Sequence, residues 1–331
     1  MSPRYDEYDH ERFERPRRRT RPRTKDRPSY DDAVPARVTT VDRGRYTCLL
    51  EDGTVVTAMK ARPLGRKAVV VGDRVRLVAD TSGAEGTLAR IAVVDNRSTV
   101  LRRSADDDDP VERVIVANAD QLVVVAALAD PEPRPRLIDR ALVAAYDAGM
   151  DPLLCLTKPD LADPETLLEI YRPLDVPWVV TRAGTELGDL RERLAGRTSV
   201  LIGHSGVGKS TLVNGLVPGA DRLTGRVNAV TGRGRHTSTS AVMLALPDGD
   251  GWIVDTPGIR SFGLAHVDAA RLIDFFPDLV EHTATCSRGC THGYDAPECG
   301  LDDALAAGAT TPGRVDSFRR LLASRERADG D

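Results

Sequence analysis

Residues 203–211 read "GHSGVGKST", which puts Gly203, Gly208, Lys209 and Ser210 at the four fixed positions of a phosphate loop, Gly-x-x-x-x-Gly-Lys-Ser/Thr. The chemistry served by that spacing is anion binding. Backbone N–H groups around Gly206 and Gly208, at the start of a helix, can cradle phosphates. Lys209 then reaches the β- and γ-phosphates, and the Ser210 hydroxyl coordinates Mg²⁺. His204, Ser205, Val207 and Thr211 complete the nucleotide-binding stretch.

Downstream, the apolar run "GWIV" ends in "DTPG", residues 255–258. Asp255 there suits a carboxylate that holds Mg²⁺ through water, and the Gly258 N–H suits a γ-phosphate contact. Between the two motifs lies "GRGRHTSTSA", 232–241, rich in Gly, Arg and Thr and without apolar periodicity. Such a loop beside a nucleotide is a candidate switch, in which Thr237 or Thr239 completes the Mg²⁺ shell. Many GTPases carry a glutamine directly after Asp-x-x-Gly to orient the attacking water. Here Ile259 stands in that place and offers no hydrogen bond. His236, beside the switch threonines, is the alternative group for positioning or deprotonating a water; the other reading is a solvated loop residue.

A base reader is also present, but upstream. "TKPD", 157–160, closes the apolar run "PLLCL" and resembles the Asn-Lys-x-Asp element by which GTPases read guanine. Asp160 can accept from guanine N1–H and the exocyclic amine, the Lys158 stem can lie across the base, and Pro159 fills the free position. Thr157 replaces the usual Asn, which normally braces the loops. The next run, "WVVTRAG" from Trp178, occupies the place of the loop that closes over the guanine, with Thr181-Arg182-Ala183 departing from the usual Ser-Ala-Lys. All the parts of a GTPase are thus present in rotated order. A circular permutation accounts for this, since neighbours in a sheet need not keep their order in the chain.

A further cluster, "CSRGCTHGYDAPEC", spaces its ligands Cys286-x₃-Cys290-x-His292-x₆-Cys299. Three thiolates and an imidazole make a closed, tetrahedral, structural Zn²⁺ site with no position left for water. His282 is a rival ligand and redox chemistry a distant alternative. Cys48 and Cys155 sit in apolar runs and read as core.

These groups need a scaffold. The chain has 331 residues, 41% hydrophobic and 29% charged, with a net charge of -4, enough for two or three domains. No apolar run reaches bilayer length and no signal core opens the chain, so no membrane partner is expected. The five cysteines fit a metal site in a reducing cytoplasm better than disulfides. Residues 1–35, rich in Arg and Pro, read as a disordered leader, either solvated or touching RNA phosphates. From 36 to 104, 13 Lys/Arg stand against 7 Asp/Glu. Five strand-like runs there, "ARVTTV", "YTCLL", "TVVTAM", "DRVRLVA" and "TLARIAVV", are punctuated by turns. That pattern predicts an OB-type β-barrel that binds RNA, through its backbone more than by stacking, because Tyr46 is the only aromatic. Residues 105–267 then form an α/β nucleotide-binding domain, and 268–331 a zinc-binding helical domain. The closing "SFRRLLASRER" is a basic helix, solvated or in contact with RNA.

Over roughly residues 36–325 the chain resembles the circularly permuted small ribosomal subunit biogenesis GTPases, the RsgA family. Its carriers are "GHSGVGKST", "GRGRHTSTS", "DTPGIRSFGL" and "CSRGCTHGYDAPEC". The resemblance implies a multi-domain protein, OB barrel, permuted P-loop GTPase and zinc domain in that order. It also implies GTP hydrolysis to GDP and phosphate, stimulated by the small ribosomal subunit and coupled to late subunit maturation through rRNA binding. The expected cofactors are one Zn²⁺ and Mg²⁺ with GTP, in a cytoplasmic monomer. Two alternatives carry other expectations. A metabolic P-loop NTPase would not need "TKPD" or a basic barrel, and a non-catalytic zinc RNA-binding module would have no use for Lys209, Ser210 and Asp255 together.

Overall fold

The computed structural model describes residues 30, 32–64, 68–103, 113–220, 241–247, 249, 251–256, 264 and 267–326. The alternating runs near the N-terminus become β1 (Val34–Asp42), β2 (Arg45–Leu50), β3 (Val55–Lys60), β4 (Arg74–Ala79) and β5 (Ala89–Val94). β1, β2 and β3 form an antiparallel meander, β3 runs parallel to β5, and β4 pairs antiparallel with both β5 and β1. The sheet therefore closes on itself as an OB-like barrel. Alternate residues point inward, among them Val38, Cys48, Val56, Ala58, Val75, Leu77 and Ile91. Tyr46 is buried with them, so the barrel's one aromatic stacks on no base. Burial pushes the Cys48 thiol up to about 12, which keeps it neutral and inert.

A hairpin of β6 (Val100–Arg103) and β7 (Arg113–Ala117) follows, with residues 104–112 between them outside the described set. The seam between barrel and hairpin is tight. Gly72 has φ +88°, and a Cβ there would come within 2.0 Å of the Ala117 carbonyl oxygen, so only glycine fits. Asn118 ties the seam by donating to the Gly72 carbonyl and accepting from the Ser98 N–H.

The second unit contains β8 (Gln121–Ala127), β9 (Asp151–Thr157), β10 (Trp178–Thr181), β11 (Thr198–Ile202), β12 (Val242–Ala245) and β13 (Trp252–Asp255). Their spatial order is β10-β9-β8-β11-β13-β12. Among the described residues all pairings are parallel except β12 with β13, and one bridge, Thr40 to Val242, joins this sheet to the barrel. β8 and β11 are buried at every residue, as expected of parallel strands covered on both faces. Period two divides β8 cleanly. Leu122, Val124 and Ala126 face the helix Pro135–Asp147, whereas Val123, Val125 and Ala127 face the helices Gly188–Leu194 and Lys209–Leu216.

Short helical segments from Ala269 to Thr285, then helices Gly300–Ala306 and Pro312–Glu326, make up the C-terminal unit. It packs on the helix Pro135–Asp147 through the rings of Tyr146, Phe275, Phe276 and Phe318, at centroid distances of 5.3–5.5 Å. Two arginines of the closing basic helix turn inward, contrary to the solvated or RNA-bound face expected of it. Arg320 reaches the buried Asp139 at 3.0 Å and Arg319 binds Asp302 at 2.8 Å. Asp139 lies 181 residues before Arg320 and Asp302 17 before Arg319, so only the fold reveals this use of the charge.

Candidate functional site

The C-terminal ends of β8, β9, β11 and β13 share one edge of the sheet, where loops of open α/β sheets converge on ligands. β11 delivers the phosphate loop there, and the helix Lys209–Leu216 leaves it. Gly206 and Gly208 adopt φ of +86° and +93°, a left-handed conformation that glycine reaches without strain and that turns successive N–H groups inward. Gly203 is required for a different reason: a Cβ would lie 2.6 Å from the Val125 carbonyl oxygen on β8.

Lys209 is nearly buried, and its ammonium donates to the Asp255 carboxylate and, at 2.5 Å, to the Thr256 carbonyl. The two motifs, 46 residues apart in sequence, thus meet at one atom. Thr256 was not singled out by sequence reasoning. Besides offering that carbonyl, it donates its hydroxyl to the Leu201 carbonyl at 2.8 Å, anchoring the end of β13 against β11. The free position of Asp-x-x-Gly carries no signal that would have pointed to it. Ser210 and Thr211 are exposed on the first turn of the helix. Hydroxyl and carboxylate oxygens from Ser210 and Asp255 form a donor set suited to a hard cation such as Mg²⁺. His204 and Ser205 lie on the exposed rim, with the His204 imidazole 3.0 Å from the Ser205 carbonyl.

The base-reading stretch sits one strand further on. Thr157 is buried at the end of β9 and its hydroxyl donates to the Val207 carbonyl of the phosphate loop at 2.6 Å. A threonine therefore links the two loops where an asparagine is usual. Lys158 takes φ +59° and donates to the Asp130 carbonyl, and the Leu161 N–H closes the turn on Lys158. Asp160 is exposed, with Arg182 at 3.8 Å as its charged neighbour. β9 and β10 pair with Thr157 opposite Thr181, and that register brings the loop carrying Arg182 and Ala183 beside Asp160. Cys155, two residues back on β9, is core, its thiol raised to about 12 by burial.

His236, Thr237, Thr239, Gly258 and Ile259 lie outside the described residues. The structure brings together Thr157, the phosphate loop, Lys209, Asp255 and the Asp160 turn.

In the C-terminal unit, Cys286, Cys290, His292 and Cys299 place one donor atom each within 4.8 Å of one another. His282 is not in that group. The three sulfurs lie 3.5–3.6 Å from His292 Nδ1. With Zn–S near 2.3 Å and Zn–N near 2.05 Å, a tetrahedral site has a sulfur–nitrogen edge of about 3.6 Å. Those sulfur–nitrogen distances match that edge, and the donor set suits Zn²⁺. Burial lowers the His292 pKa, favouring the neutral imidazole that a metal requires. Burial, with Cys290 and Cys286 adding to it, pushes the Cys299 thiol up to about 11; thiolates gathered here need a cation. The Gly300 N–H also donates to Cys286 Sγ at 3.1 Å, the outer-shell contact expected of a thiolate ligand.

The chain is similar to known proteins. A family model described as RsgA GTPase matches residues 94–265. The small ribosomal subunit biogenesis GTPase RsgA of Pseudomonas aeruginosa is 41% identical over 274 residues, covering 79% of this chain and 77% of the relative. The protein of that name in Gemmatimonas aurantiaca is 36% identical over 269 residues, covering 80% and 86%. The crystal structure of YjeQ from Thermotoga maritima matches with a TM-score of 0.66 at 27% identity, covering 88% of this chain and 98% of that one. YloQ, described as a circularly permuted GTPase, matches with a TM-score of 0.64 at 22% identity, covering 91% and 98%. That likeness of fold bears out the rotated order of motifs.

Proposed function

The chain belongs to the RsgA GTPase family, and from that premise we propose that it binds the small ribosomal subunit through rRNA and couples GTP hydrolysis to late subunit maturation. The observation that carries the reading is the convergence of Thr157, Val207, Lys209 and Asp255 at one sheet edge. Neither a plain P-loop NTPase nor a non-catalytic RNA binder needs all four. Residues 1–35 act as leader, 36–104 as RNA-binding barrel, 105–267 as permuted GTPase and 268–331 as zinc domain. The protein works as a cytoplasmic monomer with no membrane partner; among the described residues no helix is long and apolar enough to cross a membrane.

In this reading Gly203 to Thr211 wrap the phosphates, Asp160 accepts from guanine N1–H and its amine, and Lys158 covers the base. Thr157 holds the phosphate loop against the base reader. When bound, Mg²⁺ would be held by the Ser210 hydroxyl, by Thr237 or Thr239, and by Asp255 through water, and would supply neutralisation of the phosphate charge. Water attacks the γ-phosphorus, the bond to the β–γ bridging oxygen breaks, and GDP leaves with inorganic phosphate. Lys209 stabilises the charge that develops on the transferring group. His236 orients the attacking water in place of a glutamine, and Gly258 N–H meets the γ-phosphate. Replacing His236 by Ala should then remove most of the stimulation by small subunits while sparing GTP binding.

Nucleotide-dependent pelleting with purified small subunits tests the reading. Retention with a non-hydrolysable GTP analogue and release with GDP is expected; equal pelleting in both states, or none in either, would overturn it.

A further inference from the structure

Tyr294 is unusual among the aromatic side chains: it is large, 56% exposed and yet fixed. It sits two residues past the zinc-ligand candidate His292, on the loop between Cys290 and Cys299. Its hydroxyl donates to the Asp316 carbonyl on the helix Pro312–Glu326 at 3.2 Å. The Arg319 guanidinium lies over the ring, 5.9 Å from the centroid. Arg319 is itself held, donating to the His292 carbonyl at 3.2 Å and binding both oxygens of Asp302 at 2.8–3.0 Å. The ring is thus pinned at its phenol end and backed on one side by a buried cation. More than half of its surface nonetheless stays exposed.

A surface aromatic of this kind contributes little to folding, because the exposed ring is not removed from water. What the arrangement provides is a rigid, flat, electron-rich surface with little side-chain entropy left to lose on contact. That is the requirement of a stacking platform for an unpaired nucleobase, the way proteins take splayed RNA bases. The barrel cannot play this part, since Tyr46 is inside it. We propose that Tyr294 is the zinc unit's RNA contact, stacking on an unpaired rRNA base, with Zn²⁺ and Arg319 as the groups that hold it ready. The inference rests on the ribosomal reading above and adds a ligand class, a single-stranded base, to the zinc unit. Metal binding gains a purpose beyond folding, because His292 fixes the backbone to which both Tyr294 and Arg319 are tied.

The test uses the full, zinc-loaded chain and purified small subunits. Affinity is measured for Tyr294→Ala, Tyr294→Leu, Tyr294→Phe and Tyr294→Trp, with zinc content and melting temperature as controls on folding. Chemical probing of the rRNA bases reads the contact directly. Loss of the ring in the Ala and Leu variants should weaken binding by roughly 10- to 100-fold. The Phe and Trp variants should bind like the parent, although Phe lacks the hydroxyl that reaches Asp316. The slope of affinity against salt should stay the same in all four, since no phosphate contact is removed. One unpaired base should be protected by the parent and the Phe variant and exposed with the Ala variant. Unchanged affinity in the Ala and Leu variants would overturn the inference. So would a Phe variant as weak as Ala, which assigns the effect to the hydroxyl, or weaker binding with no change at any base, which assigns it to a ribosomal protein. Failure of the parent chain to bind subunits would instead strike at the ribosomal reading.

Discussion

Replacing Thr157 by Val keeps the volume and branching of the side chain while deleting one hydroxyl. In the folded protein that hydroxyl donates to the Val207 carbonyl at 2.6 Å, in a buried setting. The backbone tie between Leu128 N–H and the Thr157 carbonyl, 3.0 Å, is untouched. What remains is a buried carbonyl facing a methyl group, a loss of about 1–3 kcal/mol. If all of it falls on the phosphate-binding conformation of the loop, nucleotide affinity drops roughly 5- to 150-fold. Whatever share falls on folding instead lowers the melting temperature by about 2–4 °C per kcal/mol for a domain of this size. The two readouts together should account for the lost bond. Titration with a fluorescent GDP gives the first and thermal unfolding without nucleotide gives the second. Thr157→Ser, which keeps the donor, should restore both. A Val variant with parental affinity and parental melting temperature would refute the bracing role, as would a Ser variant that behaves like Val.

Three further expectations concern the base, the metal and the docking of the C-terminal unit. Asp160→Asn should weaken GTP binding and favour xanthosine triphosphate, because the group facing N1–H and the amine changes from acceptor-only to mixed; competition binding with both nucleotides checks this. Metal analysis of chelator-free protein should find about one Zn²⁺ per chain. Cys290→Ser should lose it and loosen the C-terminal unit, seen as faster proteolysis there; full zinc retention in that variant would remove Cys290 from the ligand set. Hydrogen bonds from Arg314 hold the Asp278 carboxyl below its usual range. A depressed carboxylate pKa stabilises above the unfolded value and is lost as pH falls through the folded one. The stability gap between parent and Arg314→Ala, read by chemical denaturation, should therefore be present at neutral pH and shrink in acid.

What could be read from the sequence, and what could not, follows the range of the interactions. The zinc ligands fall within fourteen residues, from Cys286 to Cys299, so composition and spacing alone point to the metal. The barrel strands betray themselves by period-two alternation, and the phosphate loop by fixed glycines whose φ values the fold then requires. Thr157 is different. Its bond spans 50 residues of sequence to a backbone carbonyl, and backbone groups leave no mark in residue types. Only the packing of β9 against the phosphate loop shows that a threonine links the loops where Asn is usual. Charge misleads for a related reason. "FRRLL" reads as a solvated basic stretch until Arg320 is seen to reach Asp139, 181 residues earlier. Tyr294 carries no mark in the sequence beyond its place between the ligands, because exposure combined with fixation is a property of the fold.

GTP turnover by the purified chain, measured alone and with mature small ribosomal subunits, bears most directly on the central claim. Ile259 cannot orient a water, so hydrolysis by the isolated protein should be slow, and subunits should stimulate it strongly. Fast hydrolysis without subunits, or no stimulation by them, would contradict a ribosome-coupled GTPase.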